Sequence, residues 1–340
     1  MNFSNPKRAR LVFLLLSVLA VWGTAEVSRA EKTTYIKFAT LAPEGSSWMN
    51  EMHKLDKEVQ RASGGNVRFK FYPGGVSGDE KDVIRKMRIG QLHAAGFTGV
   101  GLGEILPEVR VLDLPFLFEN DRQIERIYET MDGHFARKFE EKGYVLLGWV
   151  PVGWIHFFSK YDIKSLDDLK QTKPWMWEGD PLVREAYAVL NVSPFPLSVT
   201  DVLMSLQTGI VDTVYSSPLG ALALQWSAKT AYMSQVRMGN STGAVLMPRE
   251  QFDRVPAEYR EPLRAISRKY LKELARKIQE DNAKSIDVML KNGLRMGNAP
   301  SEAELKKFHE IGAAVRKNLT GKLFPQELLD QVLAHLREAK

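Results

Sequence analysis

Aromatic and hydroxyl side chains cluster where predicted strands end, and together they could bind a small organic molecule without reacting with it. Hydroxyl groups provide directional hydrogen bonds and large rings provide apolar surface, which is the usual composition of a small-molecule site. We predict ligand-binding roles for the following residues: Ser46, Ser47, Trp48, Phe97, Thr98, His156, Trp175, Trp177, Glu178, Tyr215, Ser216 and Ser217.

The sequence lacks the patterns that catalysis and metal binding require. It contains no cysteine, which excludes disulfides, thiolate metal sites and a cysteine nucleophile. Its six histidines include no pair at helical metal-ligand spacing. The segment Gly99–Gly103 resembles a dinucleotide-binding loop, but its last glycine has the wrong spacing. We therefore expect no catalytic residue, no metal and no cofactor, and a binding protein rather than an enzyme.

The first thirty residues have the pattern of a secretory signal peptide. Lys7, Arg8 and Arg10 precede an apolar run over residues 11–22, and small residues flank Arg29 at the positions that a signal peptidase reads. This predicts export to the periplasm with cleavage near Ala30. The alternative is an uncleaved membrane anchor, for which the apolar run is short.

Removing this segment also removes half of the basic excess. The whole chain has a formal charge of +6, and residues 1–30 carry four basic residues against one acidic, a net of +3. The remaining +3 is spread along the chain, so we expect no nucleic-acid partner.

The same order of strands and helices occurs twice. The segment Val83–Leu92 aligns without a gap to Val202–Val211, with apolar positions and a glycine in register. This predicts an α/β chain with two related lobes, each a mostly parallel sheet flanked by helices. The predicted strands are 35–40, 67–72 and 92–97 in one half and 173–177, 192–197 and 211–215 in the other.

The chain is expected to pass between the lobes at least twice, because lobe I takes back a later strand near 243–248. A long helix with apolar residues at helical spacing is expected to brace both lobes. The predicted divisions are a signal peptide at 1–30, lobe I at 31–155 plus about 240–262, lobe II at 156–239, the long inter-lobe helix at 256–292 and C-terminal helices at 300–340.

Ligands of open α/β sheets bind beyond the carboxyl ends of the strands. Applied to both lobes, this places the predicted site residues in a cleft that can close by hinge motion. Core packing is the alternative role for Phe97 and for His156, and helix capping is the favoured role for Asp180.

Four strings spread over residues 35–245 resemble the receptors of tripartite ATP-independent periplasmic (TRAP) transporters, of the DctP type. They are Ala39–Pro43, Asp113–Phe118, Ser165–Lys170 and Leu206–Asp212. The resemblance implies the α/β two-lobed periplasmic-binding-protein fold. It also implies a periplasmic receptor that delivers a small organic molecule to ion-gradient-driven permease subunits, and that meets the membrane only through them.

The resemblance also implies an arginine that pairs with the ligand's carboxylate, and here that position falls on Trp175, or on Trp177 if counted from Gly179. Neither side chain supplies a bidentate charged donor. This favours a neutral aromatic or apolar ligand, with a cation as the other option because indole faces attract cations. Two further functions stay open: a receptor whose carboxylate ligand is held by other donors, such as the backbone amides at Ser46 and Ser47, and a periplasmic enzyme on the same fold.

Overall fold

A computed structural model describes residues 33–338 of the chain. The predicted signal peptide lies outside these residues. The strands are β1 Thr34–Ala39, β2 Val67–Tyr72, β3 Ala94–Thr98, β4 Tyr144–Trp149, β5 Gly153–Ser159, β6 Trp175–Trp177, β7 Phe195–Leu197, β8 Thr213–Ser216, β9 Tyr232–Met233, β10 Gly239–Ser241, β11 Gly243–Pro248 and β12 Arg295–Met296.

The α-helices are α1 Ser47–Ala62, α2 Glu80–Arg88, α3 Gly99–Ile105, α4 Asp121–Glu141, α5 Leu166–Lys170, α6 Pro181–Leu190, α7 Val202–Thr208, α8 Pro218–Ala223, α9 Arg249–Asp253, α10 Ala257–Lys291, α11 Glu302–Leu319 and α12 Gln326–Glu338. A 3₁₀ helix at Pro107–Asp113 joins α3 to the loop before α4. Within residues 33–338, no helix is both long and apolar enough to cross a membrane.

The first lobe is built on a five-stranded sheet with the order β2-β1-β3-β11-β4. Strand β1 pairs in parallel with β2 and β3, whereas β11 runs antiparallel between β3 and β4. The predicted return of the chain into the first lobe is therefore confirmed. Successive side chains of β4 point to opposite faces of the sheet, and helices cover both faces. Val145 and Leu147 pack toward α1 and α10, whereas Leu146 packs toward α2 and α4.

The second lobe has mixed pairing. Strand β5 is antiparallel to β8, β9 and β10, while β6 is parallel to β7. A parallel bridge between Pro174 and Thr213 places β6 beside β8. The two-lobed α/β class is thus confirmed. The expectation that each sheet would be mostly parallel is wrong, because β11 in the first lobe and β5 in the second are antiparallel to every strand with which they pair.

Two chain segments cross between the lobes side by side. One joins β4 to β5 and the other joins β10 to β11, and they are hydrogen-bonded to each other from Val150 N to Gly243 O at 2.7 Å and from Val152 N to Ser241 O at 2.9 Å. Gly153 has a φ of +115°, which a residue with a side chain rarely adopts. This paired crossing connects the two sheets.

The 35-residue helix α10 contributes to both lobes, as the long inter-lobe helix was expected to do. Leu263, Leu271 and Leu274 are buried in the first-lobe core, and Met289 is buried in the second. Near the crossing, the Asn282 side chain donates to Val152 O at 3.0 Å and accepts from Leu219 N at 2.9 Å. The helix therefore ties the crossing segment to the second lobe.

Candidate ligand-binding site

A cavity of about 310 Å³ lies between the two lobes, within the range of small-molecule sites. Both sheets contribute to its wall. The predicted site residues that line it are Ser46, Ser47, Trp48, Phe97, Thr98, Trp175, Trp177, Tyr215, Ser216 and Ser217. Their ligand-binding role stays a prediction, but the structure brings all ten together at one cavity.

Three of the hydroxyl side chains in the cavity wall cap the amino termini of helices. Ser46, Thr98 and Ser217 occupy the N-cap positions of α1, α3 and α8, and each accepts a hydrogen bond from a backbone N–H of the first turn. N-cap serine and threonine are favoured because they satisfy amide groups that have no partner inside the helix. The sequence places these residues at the cavity because helices begin where the strands end.

The aromatic residues form a continuous stack in the second lobe. The Trp175 ring lies parallel to that of Tyr215 with centroids 4.7 Å apart, and Trp226 meets it edge-on at 5.2 Å. Trp175 is only 1% exposed and Trp177 only 7%, so both also belong to the core. The half-buried rings are Trp48 in the first lobe and Tyr215 in the second, and these offer the most aromatic surface to a ligand.

The N–H groups of Trp175 and Trp177 are not free for a ligand. Trp175 Nε1 donates to Leu197 O at 3.0 Å, within the second lobe. Trp177 Nε1 donates across the cleft to both carboxylate oxygens of Asp79, at 3.1 and 3.0 Å. Only the rings themselves remain to contact a bound molecule.

His156 and Glu178, for which we predicted ligand contacts, lie outside the cavity wall. On β5 the neighbouring Ile155 and Phe157 line the cavity, so alternation turns His156 to the opposite face, where its Nδ1 is 2.9 Å from Ser234 O. Burial lowers the pKa of His156 to about 4. His156 is a core histidine, the alternative considered above, and Glu178 is exposed to solvent beyond the end of β6.

The sequence analysis missed a buried ion network in the cavity wall. Arg110 of the 3₁₀ helix donates from both Nη atoms to the two oxygens of Asp180, at 3.0 Å each, and from Nε to Asp113 at 2.7 Å. These side chains are only 5%, 1% and 7% exposed, respectively. Burial lowers the pKa of Arg110, but the two carboxylates outweigh it and hold the pKa above its ordinary value.

This network joins the lobes, because Arg110 precedes β4 and Asp180 begins α6. Asp180 also accepts from Leu182 N and Val183 N, which confirms its role as a helix cap. The string at Asp113–Phe118 was noted for its resemblance, yet nothing local indicated that an arginine three residues earlier would be buried against it.

Asp79 forms a second link across the cleft. Its carboxylate accepts from the Ser198 hydroxyl at 2.7 Å and from Val199 N at 3.2 Å, in addition to the Trp177 indole. Asp79 also caps α2 in a capping box with Asp82. Asp79 was not among the predicted site residues, because nothing in the sequence singled out this carboxylate.

Glu80 is a third buried carboxylate at the cavity. It accepts from Thr98 N at 2.7 Å, from the Thr98 hydroxyl at 2.9 Å and from Gly101 N at 2.7 Å. Burial raises the pKa of Glu80 to about 7, against the opposing effect of these donors. Its oxygens therefore organise the β3–α3 turn that carries Thr98.

Trp48 packs directly over a strand position that has no side chain. A Cβ atom at Gly96 would lie 2.8 Å from two atoms of the Trp48 ring, closer than carbon atoms approach one another in proteins. Because residue 96 is a glycine, the Trp48 ring can pack closely against β3 in the cavity wall.

Comparison with known proteins identifies relatives that match most of the described residues. Residues 38–322 match the family model of bacterial extracellular solute-binding proteins, family 7 (DctP). A solute-binding protein of Verminephrobacter eiseniae is 25% identical over 242 residues, covering 70% of this chain and 71% of the relative.

Solved structures share the fold. The sugar acid binding protein DctPAm of Advenella mimigardefordensis, in complex with galactonate, superposes with a TM-score of 0.83 at 18% identity, covering 91% of this chain and 99% of that one. A TRAP periplasmic solute binding protein of Pseudomonas putida F1 with bound D-glucuronate gives a TM-score of 0.78 at 23% identity, covering 88% and 96%.

Proposed function

Because the chain belongs to the bacterial extracellular solute-binding proteins of family 7, we propose that it is the periplasmic receptor of a TRAP-type transporter. It captures one small organic molecule between its lobes and delivers it to membrane permease subunits. Residues 1–30 are removed near Ala30 during export. The observation that carries this proposal is the cavity, whose wall takes residues from both lobes.

The mechanism follows from the connections between the lobes. The paired crossing at residues 150–153 and 241–243 is the hinge, and the contacts of Asp79 and Arg110 form only when the lobes meet. A ligand that touches both walls binds the closed form more tightly, which shifts the population toward closure. The permease then recognises the closed surface.

The first test concerns the bound molecule. The protein is purified from periplasm without denaturation, and the molecule released on unfolding is identified by mass spectrometry. After refolding without it, small-angle scattering is measured with and without the molecule at saturation. We expect a smaller radius of gyration with ligand. Binding without compaction would contradict the closure mechanism, and recovery of a chemically changed molecule would favour an enzyme.

The second test concerns the permease. Proteoliposomes containing the TRAP membrane subunits encoded beside this chain should take up the identified molecule only when the receptor and an ion gradient are both supplied. Uptake that proceeds equally well without the receptor would overturn the assignment to this transporter.

A further inference from the structure

The cavity wall contains more negative than positive charge. Among the described residues that line it, the charged ones are Glu80, Arg110, Asp113 and Asp180, which are three acids and one base. No lysine or second arginine reaches the wall. A ligand carboxylate would therefore have a single cationic group available to it.

The positive charge of Arg110 is already balanced by carboxylates of the protein itself. The guanidinium of Arg110 faces the carboxylates of both Asp113 and Asp180, and the contact with Asp180 is bidentate. A ligand acid would place a third carboxylate around one guanidinium, in a site where water screens charges weakly. The like charges disfavour an anion here.

The acids of the wall are equally engaged. Asp180 accepts from Arg110 and from two amides of α6, Asp113 accepts from Arg110 and from Thr242 N, and Glu80 accepts from Thr98 and Gly101. All three side chains are nearly buried. A cationic ligand would thus lose its hydration without reaching a carboxylate that lacks a partner.

The surface that remains is apolar. Half-buried residues of the wall are mostly aliphatic or aromatic and come from both lobes, with the hydroxyls of Ser46, Ser47, Thr98, Ser216 and Ser241 as neutral polar groups. The apolar members are Leu41, Ala42, Pro43, Trp48, Val152, Ile155, Val183, Ala186, Tyr215, Leu219, Ala223, Leu224 and Met238.

We propose that the ligand of this receptor is an uncharged molecule with a largely apolar body, held by contact with Trp48, Tyr215 and the aliphatic wall rather than by an ion pair. This rests on the proposed receptor function. It separates this chain from the relatives described above, whose structures contain galactonate and D-glucuronate. The Arg110 network serves to close and hold the lobes, not to bind the solute.

The test compares probes of matched shape and different charge. Binding of benzamide, benzoate and benzamidinium is measured by calorimetry on the mature protein freed of any co-purified molecule. Two further pairs extend the size range: cyclohexanecarboxamide with cyclohexanecarboxylate, and indole-3-acetamide with indole-3-acetate. We expect each amide that binds to do so at least about tenfold more tightly than its carboxylate, the factor that one charged hydrogen bond is worth. Benzamidinium should bind more weakly than benzamide.

A variant tests the cause. Asp113→Asn removes one of the two carboxylates around Arg110 and keeps a side chain that can accept from Thr242 N. We expect the preference for amide over carboxylate to shrink in this variant. Should it fail to fold, the wild-type comparison still decides the question.

The outcomes separate the two proposals. If a carboxylate or benzamidinium binds as tightly as its amide, the ligand is charged and this inference fails, while the receptor function stands. The same holds if the molecule released from native protein is an acid. If no probe binds at millimolar concentration and native protein releases no molecule, the receptor function fails and the inference fails with it.

Discussion

Trp177 of the second lobe donates its indole N–H to the carboxylate of Asp79 in the first lobe, so that a residue of the cavity wall also fastens the cleft. The neighbouring Trp175 donates its own N–H to Leu197 O inside the second lobe. The indole N–H of Trp177 therefore links the two lobes, whereas that of Trp175 does not.

This difference supplies a matched pair of variants. Trp177→Phe keeps an aromatic ring but removes a hydrogen bond to a charged group across the cleft, worth about 1.5–3 kcal/mol. We expect the ligand-free variant to show a larger radius of gyration in small-angle scattering than the wild type. Trp175→Phe loses an equivalent N–H without loosening the lobes and is the control. Equal expansion of both variants would show that the Asp79 contact does not hold the cleft.

The Arg110–Asp180 pair should contribute strongly to stability when one partner is removed. Asp180→Asn preserves a good helix cap but leaves Arg110 with an uncompensated share of buried charge, which we expect to cost about 3 kcal/mol of unfolding free energy. Urea denaturation at neutral pH measures this. Glu280→Gln removes a solvent-exposed partner of Arg276 and should hardly change the midpoint. A change in Asp180→Asn no larger than in the control would contradict the burial argument.

His156 should make the protein sensitive to mild acid. Its pKa is about 4 in the folded protein because of burial, below the value near 6.5 of an exposed histidine. The unfolded chain therefore binds more protons between these values, and stability is lost as the pH falls from about 6.5 to 4, by up to about 3 kcal/mol. Burial raises the pKa of Glu80 to about 7, so the folded protein binds more protons than the unfolded chain between about pH 4.5 and 7. The contribution of Glu80 to stability therefore increases as the pH falls through this range, opposite to that of His156.

A difference measurement isolates the histidine. The unfolding free energies of wild type and His156→Gln, measured by urea denaturation from pH 7.5 to 4, should converge as the pH falls, because only the wild type loses this contribution. A difference that stays constant with pH would mean that His156 is not buried in its neutral form.

Gly96 should be needed to keep the Trp48 ring in its position in the cavity wall. In Gly96→Ala the added methyl collides with the Trp48 ring and displaces it, which we expect to cost about 1–3 kcal/mol of stability and to weaken binding of an amide probe. Thermal unfolding and calorimetry measure the two effects. Gly133→Ala lies within α4, where a Cβ would meet only the flexible end of Arg137 at 3.6 Å, and should stabilise by about 0.5–1 kcal/mol. Unchanged probe affinity in Gly96→Ala would show that Trp48 does not contact the ligand.

The elements that recur with clear periodicity were predictable from the sequence. The helix around Val83–Met87 and the helix at Val202–Thr208 are each followed by a glycine of positive φ, Gly90 and Gly209, and then by a strand. The loops that carry Ser46, Thr98 and Ser217 were assigned to the cleft because they follow the carboxyl ends of predicted strands, and these residues line the cavity. The long helix was predicted at 256–292 and is observed at Ala257–Lys291.

The buried charges could not be predicted in the same way. Arg110, Glu80 and Asp79 lie in or beside short helical segments where polar residues ordinarily face solvent. Arg110 is buried against Asp180, 70 residues further along the chain, and Asp79 against Val199, 120 residues further along. The partners of Glu80, Thr98 and Gly101, are nearer, at 18 and 21 residues. The position of His156 could not be predicted for a different reason. A strand that is buried on both faces has no alternation of apolar and polar residues, so its sequence does not indicate which face borders a cavity. The lobe boundaries themselves stay a prediction.

Strand β11 lies between β3 and β4 in the first sheet, yet it is made of residues 243–248. In the export that we propose, the chain leaves the membrane pore with its amino terminus first, so β3 and β4 have no strand between them until nearly three quarters of the polypeptide has appeared. The early segments cannot reach their final arrangement before that moment. An export route that carries unfolded chains suits such an order of assembly, and a translocation arrested before residue 243 should leave a protease-sensitive fragment.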